Sequence, residues 1–331
     1  MILRIALGFL ILLSACGSAS EPPVPAQPTE SAVRLETATG TLYGSLLLPS
    51  STGPHPLVLL HAGSGPTDRN GNSALVPGTN NSLKLLAEAL AARGIASVRY
   101  DKRGVAASAA AAPSESDLRF DTYVDDAAAW VRQLRMDPRF GTITLLGHSE
   151  GALIGMLAAK QARADAFISV AAPARRASDI LREQLRLQLS AELWQDSERI
   201  LSELEQGRTT GNVPPALASL FRSSVQPYLI SWFRYVPTEE IQRAPGLALI
   251  VHGTTDVQVS PSEAEALKQA RPDAELLIVE GMNHVLKMVP LNPARQDASY
   301  SDPSLPVAPL LVERVVGFTA HVQRLPRGPG S

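Results

Sequence analysis

The sequence predicts an α/β fold: a mostly parallel central sheet with helices on both faces, interrupted by a helical cap insertion. Three observations predict it. Strand-like runs alternate with amphipathic helical stretches almost throughout, the pattern of right-handed βαβ units. Some strand-like runs are continuously apolar, as in Leu57-Val58-Leu59-Leu60, which suits a sheet covered on both faces. One stretch, residues 174–244, has helical patterning and no strand alternation, which marks an insertion.

Composition sets the outer bounds. A chain of 331 residues fits one large domain carrying an insertion. With 45% hydrophobic and 19% charged residues it is neither disordered nor fibrous, and it has apolar material for a large core. A net charge of -2 argues against a nucleic-acid partner. The single cysteine, Cys16, can form neither an internal disulfide nor a cysteine-based zinc site.

The elements follow in order. Residues 1–15 read as a signal peptide: Arg4, the apolar run 5–13, then Ser14 and Ala15. Leu13-Ser14-Ala15-Cys16 resembles the lipobox of bacterial lipoproteins, which implies cleavage before Cys16, acylation there, export from a bacterial cell and a lipid anchor at the periplasmic face of a membrane; an ordinary secretion signal is the alternative. Residues 16–31 carry Pro22, Pro23, Pro25 and Pro28 and read as a tether, whose fourteen residues 17–30 reach roughly 40 Å when extended. The folded domain is expected over 32–331. Residues 33–48 predict a hairpin turning at 37–40. Pro54-His55-Pro56 precedes a strand at 57–60, and a helix over 82–93 stops at Gly94. Strand 95–100, helix 121–136, strand 142–146, helix 152–162 and strand 166–171 complete the first part. After the cap come strand 247–251, helix 261–270, strand 275–279 and a last helix within 305–324. The cap holds Phe221, Tyr228, Trp232, Phe233 and Tyr235, either as its own core or, with Trp232 and Phe233 foremost, as walls of an apolar substrate pocket.

The chemistry concentrates in Gly147-His148-Ser149-Glu150-Gly151. A G-x-S-x-G alone arises by chance in roughly one chain in ten of this length. Here a strand precedes it and a helix follows, the context of a nucleophile elbow. Such a turn exposes the Ser149 hydroxyl at a helix N-terminus and aims the Glu150 amide at a developing oxyanion. A serine hydroxyl needs a base. Of six histidines, His284 in Gly281-Met282-Asn283-His284 falls in a loop just after the last strand, whereas His61, His148, His252, His55 and His321 read as loop braces, elbow, surface or helix residues. Asp256, after the strand ending His252-Gly253, is placed to orient His284, with a turn or N-cap role as the alternative. The order is Ser, Asp, His, and the long first gap accommodates the cap.

With these residues in hand, the chain resembles the α/β-hydrolase superfamily from about residue 32 to its end. Within it, His61-Ala62-Gly63-Ser64-Gly65-Pro66-Thr67-Asp68-Arg69-Asn70-Gly71-Asn72 resembles the oxyanion loop of a group of bacterial carboxylesterases, although Ala62 stands where many relatives have glycine. The resemblance implies Gly63, or else Ser64, as the second oxyanion amide, with Ser64 also a pocket residue. Asp101-Lys102-Arg103-Gly104 resembles a D-x-R-G loop, in which Asp101 and Arg103 are structural; Asp68 and Arg69 either contact substrate or pair with each other. The implied activity is hydrolysis of small-molecule carboxylic esters through an acyl-enzyme, with no metal or organic cofactor. Two alternatives are kept. One is a serine aminopeptidase or acyl-thioesterase, for which Glu150 or the cap acids Glu203, Glu205, Glu239 and Glu240 would have to line an amine pocket rather than solvated helix faces. The other is a surface lipoprotein that binds without catalysis.

Overall fold

The computed structural model describes residues 27–326. The expected signal peptide, Cys16 and most of the tether lie outside these residues. Among the described residues, no helix is long and apolar enough to cross a membrane.

The chain opens with the predicted hairpin, β1 (Thr29–Thr37) and β2 (Gly40–Leu48), so regular structure starts three residues ahead of the expected boundary at 32. β3 (His55–His61) starts two residues earlier than expected. Pro56 lies inside it, at the register shift between His55 and Leu57 where β3 meets its neighbour, a position that tolerates a residue without an N–H. Then come α1 (Ser82–Ala91), β4 (Ala96–Tyr100), α2 (Phe120–Arg135), β5 (Phe140–His148), α3 (Glu150–Ala162) and β6 (Ala166–Val170). The cap follows as α4 (Ala177–Gln188), α5 (Ala191–Glu205), α6 (Ala218–Phe221), α7 (Gln226–Trp232) and α8 (Pro237–Arg243), all helical as predicted. The chain then completes the sheet with β7 (Leu247–Gly253), α9 (Pro261–Ala270), β8 (Glu275–Val279), α10 (Pro293–Ser299) and α11 (Pro309–Arg324). Neither α10 nor a 3₁₀ segment at Ala106–Ala111 was expected from the sequence.

The strand order is β1-β2-β4-β3-β5-β6-β7-β8. β1 and β2 are antiparallel to their neighbours, and β4 to β8 with β3 are parallel. Alternation along β3 shows why the run is apolar throughout. Leu57 and Leu59 join the core under α2 and α3, and Val58 and Leu60 join the core under α1 and α11. A third, smaller core sits inside the cap around Ile200, Leu201, Leu204, Phe221, Leu229 and Phe233. The loops leaving β3, β4, β5, β7 and β8 all emerge at the carboxyl edge of the parallel strands, where an open α/β sheet builds its sites.

Candidate active site

Ser149 sits between β5 and α3 with φ 56° and ψ -124°, a conformation that L-residues rarely adopt. Its amide donates to the Val170 carbonyl at 2.8 Å, and its own carbonyl accepts from Ala152 at 2.9 Å, so both sides of the strained residue are pinned. The flanking glycines are obligatory. A Cβ on Gly147 would lie 2.1 Å from the Gly151 carbonyl oxygen, and one on Gly151 would lie 2.5 Å from that of Ala62. The turn leaves Ser149 half-buried at the wall of a cavity of about 750 Å³. α3 starts at Glu150, whose amide belongs to the helix's unpaired first turn.

The structure brings the other predicted residues to this edge. His284 is buried, and its Nδ1 lies 2.8 Å from Asp256 Oδ2. The other Asp256 oxygen accepts from the amides of Gln258 at 2.8 Å and Val259 at 2.9 Å. Burial pushes the Asp256 carboxyl up, but the His284 interaction and the Val259 amide outweigh it and hold the group below the usual carboxylate range. With Nδ1–H donated to a carboxylate, His284 presents Nε2 as an acceptor. His148, beside Ser149, donates Nε2–H to the His284 carbonyl at 2.8 Å. Burial, then the nearby His284, lowers His148 to about 3, so it stays a neutral strut. The reading of His61 and His252 as braces agrees with their contacts: His61 Nδ1 meets the Tyr100 hydroxyl at 2.6 Å, and His252 Nε2 meets the Val259 carbonyl at 2.9 Å.

Gly63 is buried directly against the turn: a Cβ there would meet that of Ser149 at 3.2 Å. Its amide has no acceptor among the described residues. The arrangement therefore offers a hydroxyl, an acceptor nitrogen backed by a carboxylate, and two amides, a set able to carry out acyl transfer. Ser64 is exposed and lines the cavity.

Other expectations need correction. Trp232 lines the cavity, but Phe233, one residue on, does not and is 3% exposed within the cap core. Neighbouring helical residues face about 100° apart, and here the turn gives Trp232 to the cavity and Phe233 to the cap core. Glu150 is no solvated helix-face acid: it is buried, lines the cavity and accepts from the Tyr228 hydroxyl. Burial raises its carboxyl, against the opposing pull of Lys102 and Tyr228. The four cap acids do not line the cavity; they pair with Arg208, Arg182 and Arg243. Asp68 and Arg69 do not pair with each other. Asp68 accepts from the amides of Asn70 and Asn72, and Arg69 pairs with Asp101 at 2.6 Å. Arg103 binds Asp126 with two nitrogens, in keeping with its structural reading.

Two supports were missed. Asn283 is fully buried and ties the His284 loop to Gln296 and Ser299 of α10, at 3.3 and 2.8 Å. Lys102, between the two residues read as structural, is buried and reaches the loop after β3. The one available signal was its place in the D-x-R-G loop.

Comparison with known proteins follows the same line. The model of a family described as "Alpha/beta hydrolase family" matches residues 57–296. Over 248 residues the chain is 27% identical to Esterase EstD of Thermotoga maritima, which covers 74% of this chain but only 58% of that relative's length. Over 225 residues it is 29% identical to the non-heme chloroperoxidase CPO-A1 of Kitasatospora aureofaciens, 60% of this chain and 77% of the relative. The solved structure of Est1E from Butyrivibrio proteoclasticus superposes with a TM-score of 0.58 at 18% identity, covering 88% of this chain and 98% of that one, a likeness of fold.

Proposed function

The chain belongs to the alpha/beta hydrolase family, and from that premise we propose that it is a serine hydrolase cleaving small-molecule carboxylic esters through an acyl-enzyme. The observation that carries the reading is the convergence of strained Ser149 with the Asp256–His284 pair at one sheet edge. Ser149 Oγ attacks the ester carbonyl while His284 Nε2 takes its proton, and the amides of Gly63 and Glu150 hold the oxyanion. The intermediate collapses, and the alcohol leaves with the proton from His284. His284 then takes a proton from water, whose oxygen attacks the acyl group and releases the acid and free Ser149. Similarity to an esterase supports the ester class.

The amine-substrate alternative gains one observation, the buried Glu150 carboxylate on the cavity wall. Against it, the Lys102 ammonium acts on that same carboxylate and would repel a cationic substrate amine. The test is hydrolysis of p-nitrophenyl esters beside an aminoacyl anilide, by wild type and Ser149→Ala, with fluorophosphonate labelling of each. Ester cleavage and labelling that both vanish with Ser149 are expected; equal ester activity in the two proteins would sink the reading.

For location we propose export and lipid anchoring at Cys16, on the sequence of the first sixteen residues. Thr29 pairs with Leu48, past the Leu47–Ser97 pair at the amino end of β4, so the folded part is entered at the sheet edge opposite Ser149. Loss of membrane-fraction activity in Cys16→Ser is the expected result, and unchanged partitioning would count against the anchor.

A further inference from the structure

Lys102 follows β4 at the carboxyl edge of the sheet and is 2% exposed. Its ammonium donates to the Gly63 carbonyl and, at 3.0 Å, to the Gly65 carbonyl. Both acceptors belong to the segment that leaves β3 and passes Ser149. Gly63 is therefore held from two sides. The peptide before it has its Ala62 carbonyl packed tightly on Gly151, where a Cβ would come within 2.5 Å of the oxygen. The peptide after it has its carbonyl bound by Lys102. A trans peptide is planar, with C=O and N–H on opposite sides, so fixing these two planes fixes the direction of the Gly63 amide. Gly63 itself adds no restraint, because a glycine backbone has the widest choice of conformations.

We infer that Lys102 is a positioning residue of the reaction: it clamps the loop after β3 so that the Gly63 amide meets the developing oxyanion. The inference rests on the serine-hydrolase reading. Residue chemistry supports it. A lysine ammonium is a compact charge with three donors and can bind two carbonyls at once, which no apolar side chain can. Burying it is costly, and a methionine of similar length would fill the space without that cost. A residue retained for packing alone would gain from the exchange; a clamp would lose its function.

The experiment uses wild type, Lys102→Met, Lys102→Ala and Ser149→Ala with p-nitrophenyl esters, and a thermal melt of each. Lys102→Met is expected to fold but to melt below wild type, since two carbonyls and the buried Glu150 lose the ammonium, and to lose about 10- to 100-fold in kcat, with KM within about threefold, the size of loss expected when a catalytic group is misplaced by a fraction of an ångström to an ångström. Added methylammonium is expected to restore part of kcat in Lys102→Ala, where the space is open, and none in Lys102→Met. Unchanged kcat, a loss residing in KM, or a Lys102→Met protein that fails to fold each overturns the inference, the last by assigning the residue to the fold. If Ser149→Ala keeps wild-type activity, the serine-hydrolase reading itself fails; if only the Lys102 variants behave as wild type, that reading stands and this one does not.

Discussion

The carboxyl edge of the sheet and the cap enclose one cavity but are built differently. At the edge the supporting groups are fixed by named partners: Asp256 accepts from two amides and pairs with His284, His148 donates to the His284 carbonyl, and the Ser149 backbone is pinned at both ends. The cap holds a small core of its own and is laced outside by exposed pairs such as Arg208–Glu203 and Arg243–Glu239. It is packed on the body by Tyr228, Trp232 and Tyr235 against Phe120 and by polar contacts such as Ser231 with the Phe120 amide at 2.7 Å and Glu263 with the Ala174 amide at 2.7 Å. Exposed pairs contribute little each, about 0–1 kcal/mol. The difference teaches where each property of the proposed reaction would reside: the hydrogen-bonded edge holds the reacting groups, and the cap supplies apolar walls that select what fits.

The sharpest way to break that division is at Asp256. Asp256→Asn preserves the shape of the loop but removes the charge behind His284 and disturbs its tautomer. On the proposed mechanism kcat should fall by about 10³- to 10⁴-fold, with little change in acyl-chain preference. Steady-state kinetics on short and medium p-nitrophenyl esters decide it. A loss below about tenfold would show that the edge is not the chemical region.

The second contrast lies inside the cap, between adjacent aromatics. Phe233 is buried in the cap core, and Phe233→Ala should cost about 3–5 kcal/mol of stability, read as a lower urea midpoint, with acyl preference kept. Trp232 lines the cavity, its ring stacked on Phe120 with centroids 5.9 Å apart. Trp232→Ala should shift the ratio of kcat/KM between short and medium esters by about tenfold, since each buried methylene is worth about 0.8 kcal/mol. Equal changes in preference from both variants would refute the assignment of the two faces.

This pair also marks where the sequence stops being informative. Local pattern carried the alternation of strands and helices, the helical cap, the elbow with its glycines, and the loops of Asp256 and His284, because each is a short-range signal at a predictable distance from a strand end. It did not separate Trp232 from Phe233, since both fit an apolar pattern and only the docking of α7 on α2 decides which one meets the cavity. Lys102 and Asn283 escaped for a similar reason. Lys102 binds residues 37 and 39 positions away, and Asn283 is held by α10, a helix of seven residues too short to announce itself. Glu150 was read through its amide, but its side chain is defined by Tyr228, 78 positions on.

The smallest contrast concerns acid. All six histidines lie outside residues 174–244, and His61, His148 and His252, packed at the edge, are each held below the usual value, foremost by burial. For such groups the folded state stays neutral while the unfolded chain takes up protons below about pH 6.5. The stability they give is therefore present above that pH and lost as pH falls toward each folded value, about 3 for His148. One histidine contributes a slope of about 1.4 kcal/mol per pH unit in that window. His148→Gln can still donate to the His284 carbonyl but cannot titrate, so urea midpoints from pH 6.5 to 5 should fall less steeply by about that amount. The cap has no histidine to lose, so acid should loosen the edge before the cap; an unchanged slope in His148→Gln would remove the edge as the origin of the acid sensitivity.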